Sequence, residues 1–151
     1  MRIARATKDH LKSLTDLSQE WARQMGYNVK DAEIWADMNR MIDTGIVYLA
    51  IENEQIVGMM SGLCYTVFWT REKVAEEHWF FVHPDYRKKG VGSILEKAFR
   101  GWASTRGCDS VVITPNKYGD LDPKRVADHL EKEGYVIHGY RMKMELKNVF
   151  Q

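Results

Sequence analysis

The sequence predicts an α/β fold in which strands and helices alternate along the chain. Three observations carry that reading. Apolar residues recur at helical spacing in four segments, most regularly at Val91, Ile94, Leu95, Ala98, Phe99 and Trp102, the i, i+3, i+4, i+7, i+8, i+11 series of one buried helix face. Short apolar or alternating runs lie between those segments, as strands do. Glycine, proline and polar capping residues stand at the joints.

Taken in order, Arg2 to Arg5 reads as a short first strand. Thr7 is a plausible N-cap for a helix whose apolar side is Leu11, Leu14, Leu17, Trp21 and Met25, ended by Gly26. A second helix opens near Asp31, carries Ile34, Trp35, Met38, Met41 and Ile42 on one face, and stops at Thr44-Gly45. Trp21 and Trp35 are expected in the core, the alternative being that one of them lines a pocket. Ile46 to Ile51 is an apolar strand, Glu52 to Gln55 a polar hairpin turn, and Ile56 to Phe68 the longest strand. Gly58 and Gly62 inside it predict a bulge or a close backbone approach. Trp69 to Lys73 is a loop and Val74 to Val82 the next strand.

The helix after Gly90 is closed by Arg106-Gly107, and Ser110 to Thr114 is a short buried strand. Pro115 to Leu121 reads as a loop containing Tyr118. Asp122-Pro123 is an N-cap with proline at the first helical position. That helix turns Val126, Ala127 and Leu130 inward and stops at Gly134. Tyr135 to Ile137 starts a strand. Tyr140, Met142, Met144 and Leu146 then alternate with Arg141, Lys143 and Glu145, as in a half-exposed strand. The order is β-α-α-β-β-β-α-β-α-β, with a further final strand if Gly139 makes a turn.

The 151 residues are 44% hydrophobic and 28% charged, the balance of a soluble globular chain, and a single domain over 1–151 is expected. The formal net charge is +1, so nothing global draws the chain to nucleic acid or to an acidic membrane. A nucleic-acid role for Tyr86-Arg87-Lys88-Lys89 rests on one cationic triplet, too small a footprint to favour. There is no leader pattern, long apolar run or lipidation motif, and a reducing cytoplasm is the expected setting. Cys64 and Cys108 make neither a disulfide framework nor a metal site, and each reads as a small buried hydrophobe. The five histidines are scattered without ligand spacing, so no metal is expected.

The functional signal lies between Trp79 and Trp102. An apolar strand end runs into His83-Pro84-Asp85-Tyr86, then Arg87, Lys88, Lys89, Gly90 and Gly92, then the long helix. A helix start carries unpaired N–H groups and a partial positive charge. Glycines let that backbone approach a ligand, and three cations stand beside it, which suits phosphate oxygens. A P-loop ending is missing, and so is the three-glycine dinucleotide fingerprint.

Arg87-Lys88-Lys89-Gly90-Val91-Gly92 fits R/Q-x-x-G-x-G/A, the pyrophosphate loop of the GNAT family of N-acetyltransferases, which this chain resembles. The lead-in Val82 to Arg87 is typical of that family, and Lys132-Glu133-Gly134-Tyr135 is similar to its x-G-F after the last helix. The element order matches over essentially the whole chain. The resemblance implies a mixed, mostly antiparallel sheet of six or seven strands with helices on both faces. It implies acetyl-CoA as co-substrate, held by backbone N–H groups from Arg87 through Ser93, that is Arg87, Lys88, Lys89, Gly90, Val91, Gly92 and Ser93. Main-chain groups of Phe81 and Val82 would pair with the pantetheine arm, in a gap where this strand splays from Ser110 to Thr114. An N–H near Val82 would stabilise the oxyanion.

The implied reaction is direct attack of a primary amine on the thioester, without a covalent enzyme intermediate. An ammonium of pKa about 10.4 must lose its proton first, so a general base is needed. Glu76 falls where some family members keep a glutamate base, with a solvated strand end as the plain alternative, and His78 is the second choice. Alternation puts these two on one face and Glu77 on the other, unless a bulge intervenes. Leu130 stands where many members have a tyrosine that protonates the leaving thiolate. Tyr118, His129 or Tyr135 could substitute, or the thiolate, of pKa about 8.5, could leave unaided. The acceptor, whether a small molecule, a peptide or a protein amine, would lie near Tyr27, Asp31, Glu33, Trp35, Phe68, Trp69 and Glu72. Family members often dimerise, so a homodimer is also an expectation. The competing reading is a CoA-binding protein of this fold, impaired in catalysis, that acts through a protein partner.

Overall fold

The structure is a computed structural model that describes residues 1–115 and 122–146. Five strands form one sheet in the order of the chain, β1 (Arg2–Arg5), β2 (Ile46–Glu52), β3 (Gln55–Thr66), β4 (Lys73–Val82) and β5 (Ser110–Val112). The first four pair antiparallel and β5 joins β4 in parallel. α1 (Leu11–Gln24) and α2 (Asp31–Thr44) cover one face, and α3 (Val91–Thr105) covers the other. α4 (Pro123–Lys132) follows β5.

The local signals account for most of these elements. Thr7 caps a 3-10 turn, Lys8–His10, that feeds α1, its N–H donating to Nδ1 of His10 at 3.0 Å. Asn53 and Glu54 take left-handed φ values of 48° and 61°, the primed-turn geometry that matches the twist of a two-residue hairpin. Asp122 caps α4 by accepting the Arg125 N–H at 3.1 Å, and Gly134 ends it at φ 100°. Leu14, Met38, Leu49 and Met59 are fully buried between the sheet and α1–α2, and Ile46, Met60, Leu95 and Phe99 between the sheet and α3.

Gly62 is a close approach, as its place in a strand suggests. A Cβ there would stand 2.4 Å from the Glu76 carbonyl oxygen and 2.5 Å from the Phe99 ring. The β3–β4 register slips beside it, with Gly62 opposite Glu77 and Ser61 opposite Trp79. His78 is therefore the extra residue of a bulge. The slip reverses the alternation of β4: Ala75 packs on the α3 side, yet Trp79 packs on the α1–α2 side together with Phe81.

Four expectations change. Five strands are present among the described residues, not six or seven. No strand forms over Tyr135–Ile137 or 140–146, where Val136, Ile137, Tyr140, Met142, Met144 and Leu146 are exposed. Alternation fixes which way side chains point, but a strand also needs a neighbour to bond, and β5, at the sheet edge, is only three residues long. β5 ends at Val112 rather than Thr114. Trp35 is 46% exposed rather than in the core, while Trp21 stacks edge-on against Trp79 at 4.7 Å. Cys64 and Cys108, each expected as a small buried hydrophobe, are only half-buried and stand side by side, with Sγ atoms 2.9 Å apart. The loop expected over 116–121, with Tyr118, lies outside the described residues.

Candidate functional site

β4 and β5 pair only from Val74–Ser110 to Glu76–Val112 and then part. Beyond Glu76 the outer edge of β4 has no strand beside it among the described residues. The His83 N–H donates to the Val57 carbonyl across the sheet at 2.8 Å. In an antiparallel pair, alternate residues turn both main-chain groups to the partner. Phe81 therefore turns its groups inward to Met59, while Phe80 and Val82 turn theirs to the opening.

At the end of that edge the chain makes a 3-10 turn, Pro84–Tyr86, in which Nδ1 of His83 accepts the Asp85 N–H at 3.3 Å. Lys88 and Gly90 then take φ values of 61° and 82°. Gly90 is the N-cap of α3, and a Cβ on it would meet nothing within 4 Å, so glycine serves its backbone angle rather than its space. Gly92 is different: a Cβ there would stand 3.3 Å from the Phe80 ring. The first N–H returned to the helix is that of Ile94, to the Gly90 carbonyl at 3.1 Å. Lys88, Lys89, Gly90, Val91, Gly92 and Ser93 donate to no main-chain acceptor among the described residues. Six consecutive amides at a helix start, two of their residues lysines, are donors of the kind that suits an anion.

The cations do not all point there. Nε of Arg87 donates to the Val82 carbonyl at 2.9 Å, and its guanidinium lies 5.9 Å from the Phe81 ring centre. Arg87 thus ties the loop to the strand end. Lys89 lies over the Tyr86 ring at 5.3 Å, and Lys88 is exposed.

On the α1–α2 face, Glu76 stands opposite Leu63. Burial, and then the neighbouring Glu76, push the Tyr65 pKa up. His78 projects from the bulge to the same side, where Asp37 and Arg40 of α2 and Glu76 all act on it. Burial dominates, and its pKa falls below the ordinary 6.5, so the imidazole is neutral at pH 7 and able to accept a proton.

Glu77 takes the α3 side at the point where the strands part, and accepts the Thr114 N–H at 3.4 Å. Burial raises its pKa to about 7, helped by Glu76 and opposed by that hydrogen bond and by Arg141. The sequence marks Glu77 only as the residue on the other face. Its position at the parting follows from β5 being short, which no local pattern reports.

The residues expected around an acceptor are dispersed. Glu33 closes the start of α2 by accepting the Lys30 N–H at 3.3 Å. Asp31 and Trp35 line a shallow depression of about 320 Å³ with Lys12 and Asp16, none of them on the sheet. Glu72 accepts the Ser110 hydroxyl at 2.6 Å and so anchors β5. Tyr27 is 44% exposed. Phe68 and Trp69, in the β3–β4 loop, are 72% and 87% exposed and meet edge to face at 4.9 Å.

Among the groups weighed for the leaving thiolate, Leu130 is buried and His129 is exposed. The Tyr135 hydroxyl donates to Glu96 of α3 at 2.6 Å. Burial and that bond hold its pKa well above the usual phenol range, so its proton is committed to a structural contact. Glu96 itself is 2% exposed, a buried carboxylate on the helix face that also receives Arg100 at 3.2 Å.

Comparison with known proteins agrees with this arrangement. Solved structures of the same fold include a predicted acetyltransferase with acetyl-CoA from Clostridium acetobutylicum, 14% identical, TM-score 0.78, with 99% of each chain covered. A Trypanosoma brucei acetyltransferase is 20% identical with a TM-score of 0.74, over 96% of this chain and 99% of that one. The aminoglycoside acetyltransferase AAC(6')-Iy, in complex with the bisubstrate analogue CoA-S-monomethyl-acetylneamine, is 17% identical with a TM-score of 0.74, over 95% and 96%. At these identities the likeness speaks for the fold alone. No curated protein matches the sequence. No helix among the described residues is long and apolar enough to cross a membrane. The family model described as "Acetyltransferase (GNAT) family" matches residues 12–119, most of the chain, and the protein belongs to that family.

Proposed function

We propose that this chain is an N-acetyltransferase that moves the acetyl group of acetyl-CoA to a primary amine by direct attack. The observation that carries the reading is the corner between β4 and α3, where six consecutive amides donate to no main-chain acceptor among the described residues and follow a strand edge with no strand beside it among them. A diphosphate needs such donors and a pantetheine amide needs such an edge. Here Lys88 through Ser93 would hold the diphosphate, and Phe80 and Val82 would offer main-chain groups to the arm. Arg87 positions the loop through the Val82 carbonyl.

On the opposite face of β4, Glu76 and the neutral His78 are the groups able to take a proton from an ammonium. The exposed Phe68–Trp69 pair, in the hairpin that leads to Glu76, offers aromatic faces to a cation. A small amine acceptor suits these groups, and AAC(6')-Iy, an aminoglycoside N-acetyltransferase, has the same fold in complex with a bisubstrate analogue. At a pKa of about 8.5 the thiolate is able to leave unaided, and Tyr118, outside the described residues, is the other candidate to protonate it.

The test is release of free thiol from acetyl-CoA over a panel of amines, with acetyl-CoA binding followed by calorimetry. Gly90→Asp, which sets a carboxylate among the amides, and Arg87→Glu should remove binding while leaving the chain folded. Glu76→Gln should lower kcat roughly 10²–10⁴-fold with acetyl-CoA affinity kept. Binding with no thiol release on any amine, or unchanged affinity in a folded Gly90→Asp, would overturn the proposal.

A further inference from the structure

Cys64 and Cys108 lie 44 positions apart in sequence, yet their Sγ atoms are 2.9 Å apart. That is as close as an ordinary N–H···O contact, although sulfur is the larger atom. Both side chains are half-buried on the α3 side of the sheet, in the cluster that includes Ala75, Phe99 and Val111. The approach is imposed from both ends. Cys64 sits in β3 opposite Ala75 of β4. Cys108 sits in the turn after α3, where its N–H donates to the Ala103 carbonyl at 3.0 Å. The next residue is bonded to β4 twice. The Asp109 N–H donates to the Lys73 carbonyl at 2.7 Å, and the Asp109 carboxylate accepts the Lys73 N–H at 2.8 Å. Nζ of Lys73 adds a bond to the Arg106 carbonyl.

We propose that Cys64 and Cys108 are a redox site that closes reversibly into an intramolecular disulfide, with a small-molecule disulfide such as oxidised glutathione as the electron acceptor. A disulfide requires S–S of about 2.05 Å, so the sulfurs have only a short distance to close. The thiolate of one cysteine attacks a sulfur of oxidised glutathione, forms a mixed disulfide and expels one glutathione thiolate. The second cysteine gives up its proton and displaces the other glutathione. Two cysteine thiols are oxidised, two electrons and two protons pass to glutathione, and two glutathione thiols are released. A dithiol reductant reverses the sequence.

Burial and the neighbouring Cys64 raise the Cys108 pKa to about 11, against the pull of Lys73 and Arg106. Its thiolate is scarce at neutral pH, and closure is slow there. The finished cross-link would join β3 to the turn that delivers β5 to the sheet, at the root of the β4–β5 opening. It would shut a long loop containing all of β4 and α3, and chain constraints of that kind stabilise by limiting the unfolded state.

The test is equilibration of the whole chain with reduced and oxidised glutathione at several ratios, read by intact mass, peptide mapping and thermal melting. The expected product is a monomer lighter by two hydrogens, with a mapped Cys64–Cys108 peptide and a Tm raised by roughly 5–15 °C. The dithiol form should return on adding dithiothreitol. Cys64→Ala should instead stop at a glutathione adduct on Cys108. If that variant does not fold, the map of the unmutated chain decides alone. Two alkylatable thiols at the most oxidising ratio, a lasting glutathione adduct on the unmutated chain, or a cross-linked dimer would each overturn the proposal.

Discussion

The sheet from β1 to β4 is held by side chains with no solvent contact, among them Leu14, Met38, Leu49, Met60, Leu95 and Phe99. α4 has one buried side chain, Leu130. What fastens it is a polar cluster: Tyr135 to Glu96, and Arg100 to both Glu96 and Glu133 at 3.2 and 3.5 Å. The difference is one of kind. Apolar packing is non-directional and sums over many contacts, whereas a buried carboxylate is stable only while each of its partners is in place. The helix that carries Glu96 and Arg100 begins at the glycine loop that follows β4, and beyond Glu76 the outer edge of β4 has no strand beside it among the described residues.

Three variants probe the contrast. Phe99→Ala should have the largest effect, about 3–5 kcal/mol, since the ring is fully buried beneath Gly62. Urea titration should show a lower midpoint at unchanged m. Tyr135→Phe should cost less, about 1–3 kcal/mol, because Glu96 keeps Arg100 but loses its hydroxyl. Hydrogen exchange should then quicken in α4 while β2 and β3 stay protected. Equal loss of protection in both would erase the distinction between the regions.

Glu77→Gln should give the smallest change, about 1 kcal/mol after allowing for partial solvent screening. The Glu77 pKa is raised from 4.5 to about 7 in the folded chain, so the folded state binds more proton than the unfolded state between those values. Stability is therefore full below about pH 4.5 and declines as pH rises through 7. Glutamine removes that decline. Urea midpoints of the two proteins should coincide near pH 4.5 and separate by pH 8, with the glutamine variant the more stable. Parallel curves across that range would mean that burial does not govern this carboxylate.

Residues 1–112 were largely readable without coordinates. Strands, helices and caps there announce themselves through periodicity over a few neighbouring residues, with Gly26 just after α1, and beyond that range Asp122 and Gly134 begin and end α4 where expected. Glu76 is singled out through the family resemblance, by its spacing from Gly90, and its role as a base rests on the kcat of Glu76→Gln. The polar fastening of α4 was not readable. Glu96 occupies a position that helical periodicity leaves polar, and its burial depends on Tyr135 arriving from 39 residues away.

The sequence alone determined the order of elements from β1 to α4, the glycines and cations of the loop from Arg87 to Ser93 and the family it resembles, because backbone angles and side-chain periods are local properties. Tertiary structure decided that His78 is bulged, that Glu77 stands where β4 and β5 part, and that the two cysteines meet. It also decided that the alternating segment after Tyr135 forms no strand. Each of these depends on what lies across a gap from a distant part of the chain, and a local pattern fixes the direction of a side chain without fixing its neighbour.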